Sequence, residues 1–305
     1  MLTPACLKCL GWLAPMPRLS QKAITTHIDP IVSGLYKAIS AIPTIANQTL
    51  AYWQDKIGAA YNEHLPFFRR TVLRKVWATD DELESFEVEV AQKIAQYQQH
   101  PSIVRRTTLE LEPNYSVSGI SFTQDGYDSY VIYFGGVSYL WQSYFDILNQ
   151  LHTTLKSNVL AYNYRGCADD APVDPTEEQI LADGVKLVEK LLQEDIPAKK
   201  ITFWGRSLGG GISICLAAML AKRGIVVNAI NERSFRSLSW VVKESVPESL
   251  QKGVKHIEAI AKSFKWQLNA EEAMHELKGN LMIIYHEDDK TIPLAASFFA
   301  GSNHT

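Results

Sequence analysis

The stretch ITFWGRSLGGG, residues 201–211, constrains the fold of this chain more than any other. Its β-branched and aromatic start predicts a strand, and the apolar run ISICLAAMLAK at 212–222 predicts a buried helix. At the sharp turn between them, Gly205 and Gly209 lie two residues on either side of Ser207, where a Cβ atom would crowd the backbone. Ligands bind at the carboxyl ends of strands in parallel sheets. The pattern therefore predicts that the serine hydroxyl is displayed at such an end.

Predicted strands and helices alternate along most of the chain after residue 103. One predicted helix, DPTEEQILADGVKLVEKLLQE, has Asp174 as its N-cap, Pro175 as its first residue and Glu177 completing a capping-box-like pair. The predicted strands are RRTTLELE, VSGISFTQ, YVIYFGG, SNVLAYNYRG, ITFWG, IVVNAIN and GNLMIIYHEDD. Apolar strands that alternate with helices predict an α/β fold, with a mainly parallel sheet covered by helices on both faces.

Residues 1–103 differ from the rest, because their patterns are helical. The run DDELESFEVEVAQKIAQYQQH carries apolar residues at spacings of three or four, which form one apolar face; these are Leu83, Phe86, Val90, Ile94 and Tyr97. We expect an α-helical N-terminal extension over 1–103 and an α/β domain over 104–305. The extension is expected to pack on that domain or on a protein partner.

Charge and hydropathy limit the classes of partner and compartment. A net charge of -3 gives no general attraction to nucleic acid, and no apolar run reaches transmembrane length. The first seventeen residues carry a single charge, and no basic segment precedes the apolar run, so we expect no cleavable signal peptide. Cys6 and Cys9 are too few for a zinc site, but their acylation would attach the N-terminus to a membrane. The expected location is the cytoplasm or a membrane surface.

Four segments resemble the α/β-hydrolase superfamily, in the order in which that superfamily has them. They are YFGGVS (133–138), NYRGCADD (163–170), GRSLGG (205–210) and NAEEAMHELKGNLMIIYHEDDKTIP (269–293). The serine motif is most similar to that of the depalmitoylase-like and acyl-peptidase-like branch, and the resemblance covers about residues 107–300. Two departures are Phe134-Gly135, where many relatives have His-Gly, and Asn163, where they have aspartate.

The resemblance implies a catalytic site without a metal or an organic cofactor. Ser207 matches the nucleophile, and the pattern D-x-x-[IV]-P places the triad acid at Asp289 rather than at its neighbour Asp288. The oxyanion hole would be formed by the backbone amide of Leu208 and by that of Gly136 or Val137.

The triad histidine is the element that the sequence leaves open. In the superfamily it follows the acid after one more helix and strand, whereas here the only later histidine is His304. Three interpretations remain: the chain is a C-terminally incomplete fragment, His304 acts from a shortened loop, or the fold is non-catalytic. His286, His152, His256 and His275 are expected to pack, to be hydrogen-bonded or to lie on the surface.

Two functions from different classes follow. The first is a serine hydrolase that cleaves an ester, thioester or amide through an acyl-enzyme, with a lipid-like substrate favoured by the apolar 235–278 segment and N-terminus. The alternative is a non-catalytic hydrolase-fold binding module, secreted as a bacterial effector.

Overall fold

The computed structural model describes residues 80–97, 102–136, 140–166, 176–244, 267–289 and 291–302. Val137, His304 and the N-terminal cysteines lie outside these ranges, so the predictions for them stay predictions. The described residues form a mixed sheet in the order β1-β2-β4-β3-β5-β6-β7. The strands are β1 Ile103–Glu112, β2 Tyr115–Thr123, β3 Tyr130–Phe134, β4 Asn158–Tyr162, β5 Ile201–Arg206, β6 Asn228–Glu232 and β7 Leu281–Ile284.

Strand β2 runs opposite to the other six strands of this sheet. The pairs β1–β2 and β2–β4 are antiparallel, and every later pair, from β4–β3 through β5 and β6 to β7, is parallel. The carboxyl ends of β3, β5, β6 and β7 therefore meet at one edge, where the sequence places its candidate residues. The expected mainly parallel α/β sheet is confirmed.

Helices cover both faces of the sheet. They are α1 Asp80–Gln96, α2 Phe145–Leu155, α3 Glu177–Gln193, α4 Leu208–Lys222, α5 Leu238–Glu244, α6 Ala270–Met274 and α7 Phe298–Ser302. Helix α4 packs on β3, β5 and β6, and its flanks contact α3 and α6, while α2 packs on β2 and β4. The described residues contain no helix that is both long and apolar enough to cross a membrane.

The helix predicted near residue 80 packs against the α/β domain. Val90 of α1 is buried in the main core, and Ile94 and Tyr97 pack at its margin. Polar contacts also join α1 to the α/β domain, since Gln142 donates to Glu87 and Lys93 pairs with Asp146 at 2.9 Å. The division at residue 103 stays a prediction, as do the earlier helices.

The predicted start of α3 is wrong. The helix begins at Glu177, and its N-cap is Thr176 rather than Asp174. The Thr176 hydroxyl accepts from the Gln179 amide at 3.1 Å, and the Gln179 side chain accepts from the Thr176 amide at 2.9 Å. Threonine and glutamine three residues apart thus form a full capping box, and Gln179 has the role that the sequence predicted for Glu177.

Candidate active site

Ser207 occupies a strained turn between β5 and α4. Its backbone has φ 53° and ψ -117°, a region that residues with a Cβ atom rarely adopt. Neighbouring groups hold this conformation, because the Ser207 amide donates to the Glu232 carbonyl at 2.9 Å and the Ser234 hydroxyl donates to the Ser207 carbonyl at 2.7 Å. The strain is therefore fixed from the carboxyl end of β6, as expected for a serine displayed on a sharp turn.

The two glycines around Ser207 are required by close backbone contacts. A Cβ atom on Gly205 would lie 2.3 Å from the Gly209 carbonyl oxygen. A Cβ atom on Gly209 would lie 2.1 Å from the Phe134 carbonyl oxygen and 2.6 Å from that of Gly135. The geometric reason given for both glycines is confirmed, and Gly209 also brings the start of α4 against the end of β3.

Backbone from two segments lies beside Ser207. A Cβ atom added to Gly136 would be 3.4 Å from Ser207 Cβ and 3.8 Å from its Oγ, which is ordinary van der Waals contact, so the loop after β3 passes beside the serine. Leu208 is the first residue of α4, and amides in a first helical turn have no acceptor within their own helix. Gly136 and Leu208 are thus brought together at Ser207.

Asp289 is the acid that the structure holds in place after β7. Its Oδ1 accepts from the amides of Thr291 at 2.8 Å and Ile292 at 3.1 Å. Its Oδ2 lies 3.2 Å from Arg233 Nε, an ion pair without hydrogen-bond geometry. The neighbouring Asp288 is exposed. The anchored carboxylate is therefore the one that the D-x-x-[IV]-P pattern selects.

The sequence patterns did not predict that Arg233 contacts the acid. This arginine follows β6 directly, has φ 49°, and its amide donates to the Ile284 carbonyl at 2.7 Å. This bond joins the ends of β6 and β7, and the side chain then reaches Asp289. No local pattern reveals such a contact, since the two residues are far apart in sequence.

The three described histidines do not complete a triad. His152 is fully buried, and its ring nitrogens lie 2.7 Å from the Ser157 carbonyl and 2.9 Å from the Ser102 hydroxyl. His286 and His275 are exposed, and the Asp288 amide donates to His286 Nδ1. Within the described ranges, no hydrogen bond joins a histidine ring to the side chain of Ser207 or Asp289. These histidines agree with the secondary roles expected of them.

The loop after β4 braces the loop that follows β3. Tyr164 is buried, and its hydroxyl donates to the Gly135 carbonyl at 2.7 Å. Arg165 is also buried and forms two hydrogen bonds with Asp183, at 3.0 and 2.6 Å, and hydrogen bonding with this carboxylate raises the pKa of its guanidinium. Asn163, which replaces the aspartate of the family pattern, accepts from the Trp141 amide at 3.0 Å. All three side chains of the segment are therefore anchored.

The two arginines nearest Ser207 in the sheet are each paired with a carboxylate. Arg206 Nε lies 3.7 Å from Glu232 Oε1, and Arg233 pairs with Asp289. The Trp204 indole also donates to Glu232 at 2.7 Å. Each of these two arginines therefore has a carboxylate beside it that balances its charge.

Other reactive groups in the described part of the chain form no competing site. Burial raises the pKa of the Cys215 thiol within α4, which keeps it protonated and weakly nucleophilic at neutral pH. Among the described side chains, no cluster of three or more His, Cys, Asp and Glu residues is arranged to hold a metal ion.

Comparison with known proteins gives similarities in sequence and in structure. The family model described as Chlamydia CHLPS protein (DUF818) matches residues 133–303, which is more than half of the chain. Protein ABHD12B of Homo sapiens is 30% identical over 146 residues, covering 45% of this chain and 39% of that protein. The match thus spans about two fifths of the length of that relative.

The solved structures include an alpha-beta hydrolase (ABH) from Vibrio vulnificus. It is similar with a TM-score of 0.55 and 18% identity, over 80% of this chain and 78% of that chain. At this level of identity the similarity establishes the fold alone. The expected α/β-hydrolase fold is thereby confirmed, while the assignment to a branch of the superfamily stays a prediction. By its match over residues 133–303, the chain belongs to the Chlamydia CHLPS protein (DUF818) family.

Proposed function

We propose that this protein is a serine hydrolase that cleaves an uncharged carboxylic ester, thioester or amide. The observation that carries the proposal is the backbone of Ser207, held at φ 53° on a turn that the loop containing Gly136 passes beside. A strained conformation of this kind is kept only where the surrounding structure fixes it, and such sites concentrate at catalytic centres. The paired state of Arg206 and Arg233 supports an uncharged acyl group.

The proposed reaction proceeds through an acyl-enzyme. Ser207 Oγ attacks the substrate carbonyl as a histidine accepts its proton, and the amides of Gly136 and Leu208 stabilise the oxyanion. The histidine then gives the proton to the leaving group, and water releases the acyl group by the same route in reverse. Asp289 would hold the histidine through Oδ2, because two backbone amides already bind Oδ1. Val137 and His304 remain candidates for the second oxyanion amide and for the base.

Covalent labelling with a fluorophosphonate tests the proposal, because this reagent reacts with activated serines. We expect labelling of the wild type and none of Ser207→Ala, and Asp289→Asn is expected to label at least tenfold more slowly. Ser213→Ala and Asp288→Asn are matched controls, since Ser213 is a buried serine of the same helix and Asp288 is an exposed neighbour of the acid. Folded wild-type protein that is not labelled would contradict the proposal.

A second candidate function is a non-catalytic binding module. The position of Arg233 favours it, because Arg233 lies against Asp289 Oδ2, and a triad histidine would need that oxygen. Residues 1–103 would then bind the protein partner, and attachment through Cys6 and Cys9 would place the protein on a membrane surface. Retention of the biological effect in Ser207→Ala, with loss on removal of residues 1–79, would support this function over hydrolysis.

A further inference from the structure

We propose that Tyr164 is a positioning residue that fixes and polarises the Gly136 amide of the oxyanion hole. Its hydroxyl donates to the Gly135 carbonyl at 2.7 Å, on the loop that passes beside Ser207. This inference rests on the proposed function, because it gives Tyr164 a role in stabilising the oxyanion.

Peptide geometry links the two ends of this interaction. The carbonyl of Gly135 and the N–H of Gly136 belong to one planar trans unit, in which they point in opposite directions. A hydrogen bond that fixes the carbonyl therefore also fixes the direction of the N–H. Donation to the carbonyl further polarises the unit, which makes its N–H a stronger donor. Tyr164 thus acts on the oxyanion donor without touching the substrate.

The loop needs such a restraint because two consecutive glycines form it. Glycine has the widest choice of backbone conformations, so a Gly-Gly peptide rotates more easily than any other. On one side, the start of α4 at Gly209 approaches the Phe134 and Gly135 carbonyls so closely that no Cβ atom fits between them. The Tyr164 hydroxyl gives this peptide a directional bond besides that steric contact.

The tyrosine is itself held firmly enough to act as a brace. Its ring is buried, and Asn163 and Arg165 on either side are anchored through Trp141 and Asp183. The Asn163 amide also donates to the Ser118 carbonyl of β2 at 2.8 Å. Both neighbours of Tyr164 are therefore bound to other elements, which fixes the origin of its side chain.

The test compares Tyr164→Phe with Tyr162→Phe. Tyr162 is a matched control two residues earlier, because its hydroxyl is also buried but has no hydrogen-bond partner among the described residues. For 4-nitrophenyl butyrate at 25 °C we expect Tyr164→Phe to lower kcat about tenfold with KM changed less than about twofold, since the lost interaction acts in the transition state. Fluorophosphonate labelling should slow by a similar factor, and Tyr162→Phe should change neither rate.

A spectroscopic measurement tests the hydrogen bond without requiring turnover. Labelling with [1-13C,15N]glycine marks the three Gly-Gly peptides, at 135–136, 209–210 and 210–211, and Gly136→Ala assigns the first by its loss. We expect the Gly135 carbonyl and Gly136 nitrogen signals to shift in Tyr164→Phe and to stay in place in Tyr162→Phe. The wild-type carbonyl shift alone reports the bond if Tyr164→Phe does not fold.

The outcomes separate this inference from the proposed function. Shifted signals together with a lower kcat support the inference. Unmoved signals, a wild-type carbonyl shift typical of an unbonded carbonyl, or shifted signals with unchanged kcat and labelling overturn it. Wild-type protein that is neither labelled nor active would instead refute the proposed function, while the spectra would still decide whether Tyr164 holds the peptide.

Discussion

Gly209→Ala is the substitution whose effect follows most directly from the geometry around Ser207. The new Cβ atom would lie 2.1 Å from the Phe134 carbonyl oxygen. To restore an ordinary contact of 3.4 Å, the end of β3 and the start of α4 must separate by about 1.3 Å. The obstructing atoms are the backbone carbonyls of Phe134 and Gly135, so no side-chain rotation can relieve the contact.

The separation has two expected consequences. It moves Gly136 away from Ser207, and a displacement of about 1 Å in a catalytic arrangement costs roughly 100-fold in rate. It also strains a packed core, which lowers the free energy of unfolding by about 1–3 kcal/mol. About 1 kcal/mol of that loss is regained, because alanine favours the helix more than glycine does. We therefore expect fluorophosphonate labelling to slow about 100-fold with only a modest loss of stability.

Gly211→Ala is the matched control for this prediction. It has the same helix-propensity gain in the same helix, but its Cβ atom would meet the Phe235 ring at 3.0 Å rather than backbone. We expect its labelling rate to stay within about threefold of the wild type, because a ring can adjust. The test measures the labelling rates and thermal unfolding midpoints of the wild type and the two variants. A Gly209→Ala protein that labels at the wild-type rate would refute the close contact between β3 and α4.

Three further predictions concern other contacts. Thr176→Ala should lower the free energy of unfolding by about 1 kcal/mol through loss of the N-cap, whereas Asp174→Ala should not, as urea unfolding will show. Arg165→Met should cost about 3–5 kcal/mol in the same assay, because it leaves the Asp183 carboxylate buried and unpaired, and an additional Asp183→Leu should recover part of that loss. Ser234→Ala should slow fluorophosphonate labelling about threefold to tenfold, because its hydroxyl holds the carbonyl of the strained serine.

The sharp turn at Ser207 and the choice of Asp289 over Asp288 could be predicted from sequence because their causes are largely local. The glycine at 205 reflects a contact with Gly209 within one turn, which a short pattern is sufficient to mark, whereas Gly209 also meets the Phe134 and Gly135 carbonyls at the end of β3. The anchoring of Asp289 by the amides of Thr291 and Ile292 is equally local. The wrong cap has a local origin, since Asp174 and Thr176 are each followed three residues later by a possible partner, Glu177 or Gln179. The structure uses Thr176 and Gln179, while the Glu177 carboxylate accepts from the amides of Gln267 and Leu268.

The remaining contacts could not be predicted because they join distant segments. Arg233 reaches Asp289 only once β6 and β7 are paired, and Tyr164 reaches Gly135 only once β4 lies beside β3. A tyrosine in a buried run is equally compatible with core packing and with a specific hydrogen bond, since the ring is buried in either case. Such contacts depend on strand order, which local periodicity does not specify.

The central claim is that Ser207 is an activated nucleophile. Its most direct test is to treat the wild type with a fluorophosphonate and to locate the adduct by peptide mass spectrometry, with Ser207→Ala and Ser213→Ala treated in parallel. The account predicts a single adduct on the peptide containing Ser207, present in the wild type and in Ser213→Ala and absent from Ser207→Ala. A folded wild type without an adduct, or an adduct that persists in Ser207→Ala, would contradict it.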